Sequence, residues 1–170
     1  MHHLALAVLL AAAAPADARA RTVPITPQIG EVHIGAAALR LFSVGGRFTR
    51  FEGTLTYDPA ELGRCSVALT VDVASLVSSS AVARREMILG PEFLDAARYP
   101  YLRFEGRCQG TEVEGSLSMH GVTRPLRLEA EWQERRVVVS GRLLRALWGI
   151  GGRPLVVGPM IRIRVVAGLS

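Results

Sequence analysis

An alternation of apolar and polar residues runs through most of the chain after residue 40. In the stretch LRLEAEW, one side of an extended chain would carry Leu126, Leu128, Ala130 and Trp132, and the other side the charged residues. Successive side chains of a β-strand point to opposite faces, so this pattern predicts a strand with one dry face and one wet face. Such strands are typical of antiparallel sheets that bury one face.

The same period predicts several strands, with Gly and Pro residues marking the turns between them. They are expected near residues 30–35, 39–43, 47–57, 65–76, 101–108, 112–120, 124–132, 136–145 and 160–167, after an extended lead-in at 21–29. Phe48 and Phe51 are out of phase by one residue, so a bulge or bend near Thr49 is expected to bring both rings to one side.

One segment, residues 78–100, breaks the alternation. It begins with serines that can cap a helix, and Gly90-Pro91 would end that helix after about two to three turns. Phe93 and Leu94 are expected to anchor a short second turn. Since closure removes exposed strand edges, we expect an all-β fold: an extended antiparallel β-barrel of about eight strands with one short helical insertion.

The first residues indicate export. Residues 4–14 are an unbroken apolar run, shorter than the ~20 residues that a membrane-spanning helix needs. Ala18 and Ala20 then form the small-x-small pattern of a signal-peptidase site. We predict a signal peptide at residues 1–20, one barrel domain at residues 21–170, and a periplasmic or secreted location.

Charge and cysteine content narrow the possible partners. The formal net charge is +5 and all 20 cationic residues are arginine. They lack the aromatic interleaving of a nucleic-acid groove, so no nucleic-acid partner is expected, whereas a basic surface suits anionic lipid headgroups. Cys65 and Cys108 each lie on the apolar face of a predicted strand, and if these two strands pair antiparallel, the start of the first meets the end of the second. We therefore predict a disulfide, worth about 4 kcal/mol, over the alternative of two buried thiols.

The sequence shows no assembled catalytic or metal-binding motif. After residue 20 the sequence contains only two histidines, His33 and His120. It has no nucleophile motif and no cluster of metal ligands at a recognised spacing. We therefore expect no enzyme activity, and we treat a hydrolase or isomerase that uses His120 as the less favoured hypothesis. In HGVTRP, Gly121 would permit a turn and Pro125 would start the next strand.

The dry face is the remaining candidate for function. Its predicted inward residues also include Val67, Val137 and Val165, and glycines stand among them at positions 53, 106, 115 and 141. These glycines would either leave apolar volume unfilled or relieve curvature in a coiled strand, and the pattern does not separate the two readings.

Five motifs resemble, in order, the pattern of the YceI-like family. They are VGGRFTRFEGTLTYDP (44–59), VDVASL (71–76), RREMILGPEFLDAARYPYLRFEG (84–106), SLSMHGVTRPLRL (116–128) and RLLRALWGI (142–150). One departure is that the usual R-S/T-D-F/W-G becomes Arg145-Ala146-Leu147-Trp148-Gly149, which loses a hydroxyl and an acid. A second is His33, which stands near a position that is commonly aromatic.

The resemblance implies a lipocalin-like barrel whose apolar lumen holds a long isoprenoid lipid, such as a polyprenyl chain or a quinone tail. It implies an exported carrier without a cofactor, whose partners are that lipid and, transiently, a membrane surface. The side chains expected to bind the ligand are Phe48, Phe51, Leu55, Leu69, Val71, Leu102, Phe104, Leu117, Met119, Leu126, Leu128, Val139, Trp148, Ile161 and Ile163. The alternative is a barrel with a filled lumen that serves as a stress-response or protein-interaction module.

Overall fold

A computed structural model describes residues 20–78 and 85–169. The predicted signal peptide at residues 1–20 lies, apart from its last residue, outside the described residues. The strands are β1 (Arg21–Ile25), β2 (Gly30–Ala38), β3 (Phe42–Phe48), β4 (Phe51–Asp58), β5 (Glu61–Asp72), β6 (Leu76–Ser78), β7 (Tyr101–Gln109), β8 (Glu112–Met119), β9 (Val122–Gln133), β10 (Arg136–Leu144) and β11 (Val157–Gly168). The helical elements are α1 (Arg85–Leu89) and two 3-10 turns, Val73–Ser75 and Arg145–Trp148.

These strands form one antiparallel sheet in the order β1-β4-β5-β7-β8-β9-β10-β11-β2-β3-β6. β3 runs into β4 across Thr49 and Arg50, and β5 runs through Val73–Ser75 into β6, so each pair is one long strand bent at a corner. Counted in this way, eight strands follow one another around a barrel, with β1 added along β4. The predicted antiparallel barrel is confirmed; the count differs because of the two corners and β1.

The corner is held by the buried hydroxyl of Ser75. Ser75 Oγ accepts a hydrogen bond from the Arg50 N–H at 3.0 Å and donates to the Asp72 carbonyl at 2.7 Å. The Ser75 carbonyl accepts from the Thr49 N–H at 3.2 Å. These bonds satisfy backbone groups that leave the ladder where both strands bend, and the bend brings Phe48 and Phe51 into the core as expected.

Two turns show how the local sequence determines the hairpins. His120 and Gly121 join β8 to β9 with φ angles of 53° and 73°, the left-handed pair that a two-residue hairpin turn needs. β9 begins at Val122, so Pro125 lies inside the strand and does not start it. There β9 pairs with β8 only, and the missing N–H of Pro125 need not break a second ladder.

Two strand predictions were wrong. Residues 39–41 form the turn between β2 and β3, where Leu39 and Arg40 adopt left-handed φ angles of 48° and 60°. The lead-in contains β1, because Val23 and Ile25 alternate and bury against the core. Its Pro24 obscured that pattern, although proline is tolerated in an edge strand.

One end of the barrel, here called the cap end, carries the His120–Gly121 turn, the Arg145–Trp148 turn and residues 85–100. The described part of the predicted helix is α1, which ends before Gly90; residues 79–84 lie outside the description. Phe93 and Leu94 are buried in the following turns, as predicted. In residues 20–78 and 85–169 no helix is long and apolar enough to cross a membrane.

Removing the Ser75 hydroxyl should destabilise the corner. Ser75→Ala leaves the Arg50 N–H without its side-chain acceptor, so we expect the free energy of unfolding to fall by about 1–3 kcal/mol in urea titrations. Ser66→Ala, an exposed serine on β5, is the control and should change stability little. Equal effects of the two substitutions would contradict the role of Ser75.

Candidate functional site

The barrel contains a cavity, here called the lumen, whose wall runs from Met119 near the cap to Cys65 and Trp132 toward the opposite end. Its volume is about 80 Å³. The wall consists almost entirely of aliphatic and aromatic side chains. Among the residues predicted to bind a ligand, those on the wall are Phe48, Leu55, Leu69, Val71, Leu102, Phe104, Leu117, Met119, Leu126, Leu128, Val139 and Ile163.

The remaining three predicted residues, Phe51, Trp148 and Ile161, are buried but lie away from the lumen wall. Conversely, the wall includes apolar residues that were not predicted to bind a ligand: Ile25, Val32, Ile34, Cys65, Cys108, Val113, Ala130, Trp132 and Ala167. His33 and Arg103 also line part of the cavity. Alternation would have found several of these, because Val32 and Ile34 share one face of β2 and Val113 shares a face of β8 with Leu117.

A disulfide links β5 to β7 in the wall. Cys65 and Cys108 are bonded, with Cα atoms 4.8 Å apart, which confirms the predicted bridge. The pairing of Ser66 with Arg107 places the two cysteines opposite each other, so strand register alone brings them together. This part of the wall lies toward the end opposite the cap.

Glycines in the wall make room for large neighbouring side chains. Gly106 and Gly115 pair directly across β7 and β8. A Cβ atom on Gly106 would lie 2.9 Å from the Phe104 ring, and one on Gly115 would lie 2.7 Å from it. The ring therefore lies against both glycines, where a Cβ atom would also meet the backbone carbonyl oxygens of Glu105 and Glu114 on the paired strands.

Leu128 covers Gly141 in the same way. β9 and β10 pair only from Glu129–Ser140 to Gln133–Arg136, so Gly141 has no partner on β9 and Leu128 lies over it. The glycines thus neither leave holes nor only relieve curvature.

One polar atom in the lumen wall lacks a partner. Trp132 Nε1 is buried and has no hydrogen-bond acceptor among the described residues. The indole ring lies 5.6 Å, between ring centroids, from Tyr57. A buried N–H without an acceptor costs free energy, so Trp132 stands out among the side chains of the lumen wall.

The cap end is packed through Trp148. Its Nε1 donates to the Leu117 carbonyl at 3.1 Å, and its own carbonyl is 3.1 Å from Nδ1 of His120. The His120 ring also lies 4.9 Å from the Tyr99 ring. These contacts give His120 and Trp148 structural roles in holding the cap on the barrel.

Arg145 is the buried charge of the cap. Its guanidinium donates to the carbonyl oxygens of Ile150, Gly152, Val157 and Gly158 at distances of 2.9–3.1 Å. Burial lowers the pKa of Arg145 from its ordinary value. These four carbonyls bind the guanidinium despite the departure at Ala146 and Leu147, and Leu147 itself is exposed.

Two further polar residues have their hydrogen-bond partners outside the lumen. His33 pairs with Glu31 at 3.0 Å on the outer side of β2, and this hydrogen bond, with nearby positive charge, lowers the pKa of Glu31. Arg85 donates to the carbonyls of Leu76 and Ala74 and so fastens α1 to the corner.

Comparisons with known proteins agree on one family. The model of the YceI-like domain matches residues 25–168. A UPF0312 protein of Vibrio cholerae is 36% identical over 107 residues, which is 59% of this chain and 53% of the relative. A UPF0312 protein of Pseudomonas putida is 32% identical over 93 residues, covering 51% and 48%. These matches thus span about half the length of the relatives.

Solved structures share the fold at low sequence identity. BcnA of Burkholderia cenocepacia superposes with a TM-score of 0.69 at 17% identity, covering 86% of this chain and 99% of that one. A polyisoprenoid binding domain from Saccharophagus degradans, implicated in plant cell wall breakdown, gives 0.59 at 13% identity, covering 85% and 95%. The YCEI protein of Campylobacter jejuni gives 0.58 at 18% identity, covering 72% and 83%.

The packing of the Phe104 ring against Gly106 can be tested by substitution. Gly106→Ala should lower the free energy of unfolding by about 1–3 kcal/mol, because the new methyl group would lie 2.9 Å from both the Phe104 ring and the Glu114 carbonyl oxygen. Phe104→Leu should then cost less in the Gly106→Ala background than in the wild type, a coupling that a double-mutant cycle in urea measures.

The matched control is Gly35→Ala on β2, where a Cβ atom would meet nothing closer than 3.5 Å. It should leave stability nearly unchanged. Additive effects of the changes at Gly106 and Phe104 would contradict the contact.

Proposed function

The chain belongs to the YceI-like domain family, and from that premise we propose that it carries a long isoprenoid lipid, a polyprenyl chain or a quinone tail, in its lumen. The observation that carries the proposal is the cavity with an almost wholly apolar wall. A structural neighbour with the same fold is described as a polyisoprenoid binding domain, which supports this ligand class.

Binding of such a tail needs little polar recognition. Each CH₂ group moved from water into an apolar lumen contributes about 0.8 kcal/mol, so several isoprene units together give a substantial affinity. Selectivity then depends on the width and length of the lumen. We therefore propose a binding protein without a cofactor, rather than an enzyme.

The lumen must widen to take a complete tail. An apolar cavity of about 150 Å³ accepts one benzene molecule, whereas this lumen measures about 80 Å³. Side chains such as Phe104 and Leu128 would have to change rotamer, and Met119 has the flexible side chain that adapts to irregular contents. We propose that the tail replaces contacts that these side chains now make with one another.

The small volume also favours the second candidate. A barrel whose side chains nearly fill the lumen is consistent with a stress-response or protein-interaction module that holds no lipid. The two functions differ in one measurable respect, the uptake of an isoprenoid.

We further propose that the protein works outside the cytoplasm, in the periplasm or secreted, with residues 1–20 as a cleaved signal peptide and residues 21–170 as the working domain. The Cys65–Cys108 disulfide supports this, because such bonds persist mainly in oxidising compartments.

Filling the lumen should weaken the binding of an isoprenoid. Val139→Phe adds a ring on the lumen side of β10 and keeps it apolar, and we expect binding of a fluorescent isoprenoid to weaken by a factor of ten or more. Val138→Phe places the same ring on the opposite face of the strand and is the matched control. Melting curves establish that both variants fold.

Native mass spectrometry and organic extraction of protein from its own host complete the test. A wild-type protein that contains no lipid and takes up none would refute the carrier and favour the lipid-free module.

The unpartnered indole predicts how the ligand is oriented. We infer that Trp132 Nε1 donates a hydrogen bond to an oxygen atom at the polar end of the isoprenoid. Trp132→Phe should weaken binding of a quinone-type or hydroxyl-bearing isoprenoid about threefold to tenfold, the worth of one hydrogen bond. Binding of a hydrocarbon isoprenoid such as squalene should change little. Equal losses for both ligands would show that Trp132 only packs.

A further inference from the structure

The cap end carries an exposed apolar surface, here called the tip. It consists of Leu39, Leu41 and Phe42 from the β2–β3 turn and Leu155 and Val156 from the loop before β11. Leu155 is 95% exposed and Leu41 is 85% exposed, so both side chains are almost entirely in solvent. The two loops are joined, because the Leu39 N–H donates to the Val156 carbonyl at 2.8 Å.

A second apolar pair extends the tip onto the outer face of the barrel. Leu144 on β10 and Met160 on β11 lie directly opposite each other, and each is 40% exposed. The next outward pair along the same strands is Arg142 and Arg162. Two residues of β-strand separate the pairs, so the arginines stand about 7 Å behind the apolar pair.

The chain segments that build the tip and its neighbouring strands carry charge of one sign. Residues 32–51 and 135–170, which include the turn, β3, β10, β11 and nearly all of β2, contain ten arginines and no aspartate or glutamate. The remainder of the chain has ten arginines and 15 acidic residues. The net charge of +5 is therefore the sum of +10 on these segments and −5 elsewhere.

Several of these arginines are available to a partner. Within residues 20–78 and 85–169, Arg40, Arg142 and Arg162 form no ion pair; Arg162 reaches only the Ser43 hydroxyl, at 3.5 Å. Arg153 is paired with Glu92 of the cap at 3.1 Å, and Arg164 lies 3.8 Å from Glu31.

We propose that the tip docks on an anionic lipid bilayer. The apolar side chains of the tip would enter the boundary between the headgroups and the acyl chains. Interfacial protein segments bury their apolar face there to a depth of about 5–10 Å. Arg142 and Arg162, about 7 Å behind, would then stand at the level of the phosphates. An apolar layer with arginines behind it matches a bilayer surface, where acyl chains lie below a layer of phosphates. Binding to another protein would not require the apolar and cationic side chains to be layered in this way.

Docking deepens the proposed carrier function and rests on it for its biological purpose, because an isoprenoid lipid has to be taken from or returned to a membrane. The tip and the cap share one end of the barrel, so a docked molecule would present its cap to the bilayer.

The test is sedimentation of the full-length mature protein with lipid vesicles. Vesicles of phosphatidylcholine containing phosphatidylglycerol should bind the wild type, added salt should weaken binding, and vesicles of phosphatidylcholine alone should bind much less. Leu41→Ser with Leu155→Ser should reduce binding at least tenfold, since both side chains lose their apolar burial. Arg142→Gln and Arg162→Gln should each reduce it about fivefold.

Leu62→Ser, at a partly exposed leucine near the β4–β5 turn at the opposite end, is the matched control and should bind like the wild type. Failure of the wild type to bind anionic vesicles, or equal binding by the double leucine variant, would overturn the proposal. Equal binding to neutral vesicles would overturn the role of the arginines.

Uptake of a fluorescent isoprenoid from detergent solution tests the lumen without a bilayer. If uptake fails while anionic vesicles still bind, the carrier function is refuted and docking stands. If uptake succeeds while vesicle binding fails, docking is refuted and the carrier function stands.

Discussion

Closure of the barrel is the constraint on which the rest of this structure depends. Each strand can keep an apolar face dry only if its neighbours satisfy its backbone on both edges. The chain closes the barrel by bending two long strands at one corner, where Ser75 supplies the hydrogen bonds that the ladder cannot. The corner completes the barrel wall. That wall contains the disulfide, surrounds the lumen and supports the cap at one end.

A closed eight-stranded barrel has little interior space, and what it holds depends on where large side chains rest. Here Phe104 lies over Gly106 and Gly115, and Leu128 lies over Gly141, so these two large side chains pack against the wall. This arrangement explains how a barrel with many large inward residues still retains a cavity. It also identifies the side chains whose movement would change its width.

Alternation in the sequence predicted most strands, the barrel and the face on which the cysteines meet, because strand parity is a local property. It did not predict β1, where Pro24 interrupts the pattern, or the turn at residues 39–41, where leucine and arginine take left-handed backbone angles that favour glycine. Alternation also did not separate the residues of the lumen wall from those buried at the cap end. Trp148 and Ile161 are buried at the cap end, and their position depends on long-range packing that spacing does not encode.

The cap and the tip are mechanically connected through Arg145. Its guanidinium binds the carbonyl oxygens of Ile150, Gly152, Val157 and Gly158, which flank the loop that carries Leu155 and Val156. Among the described residues Arg145 has no carboxylate partner, and its guanidinium, which also lies 6.0 Å from the centre of the Phe93 ring, fixes the backbone on both sides of that loop. A firmly held loop loses little conformational entropy when its leucine enters a bilayer, and this favours a rigid tip over a flexible one.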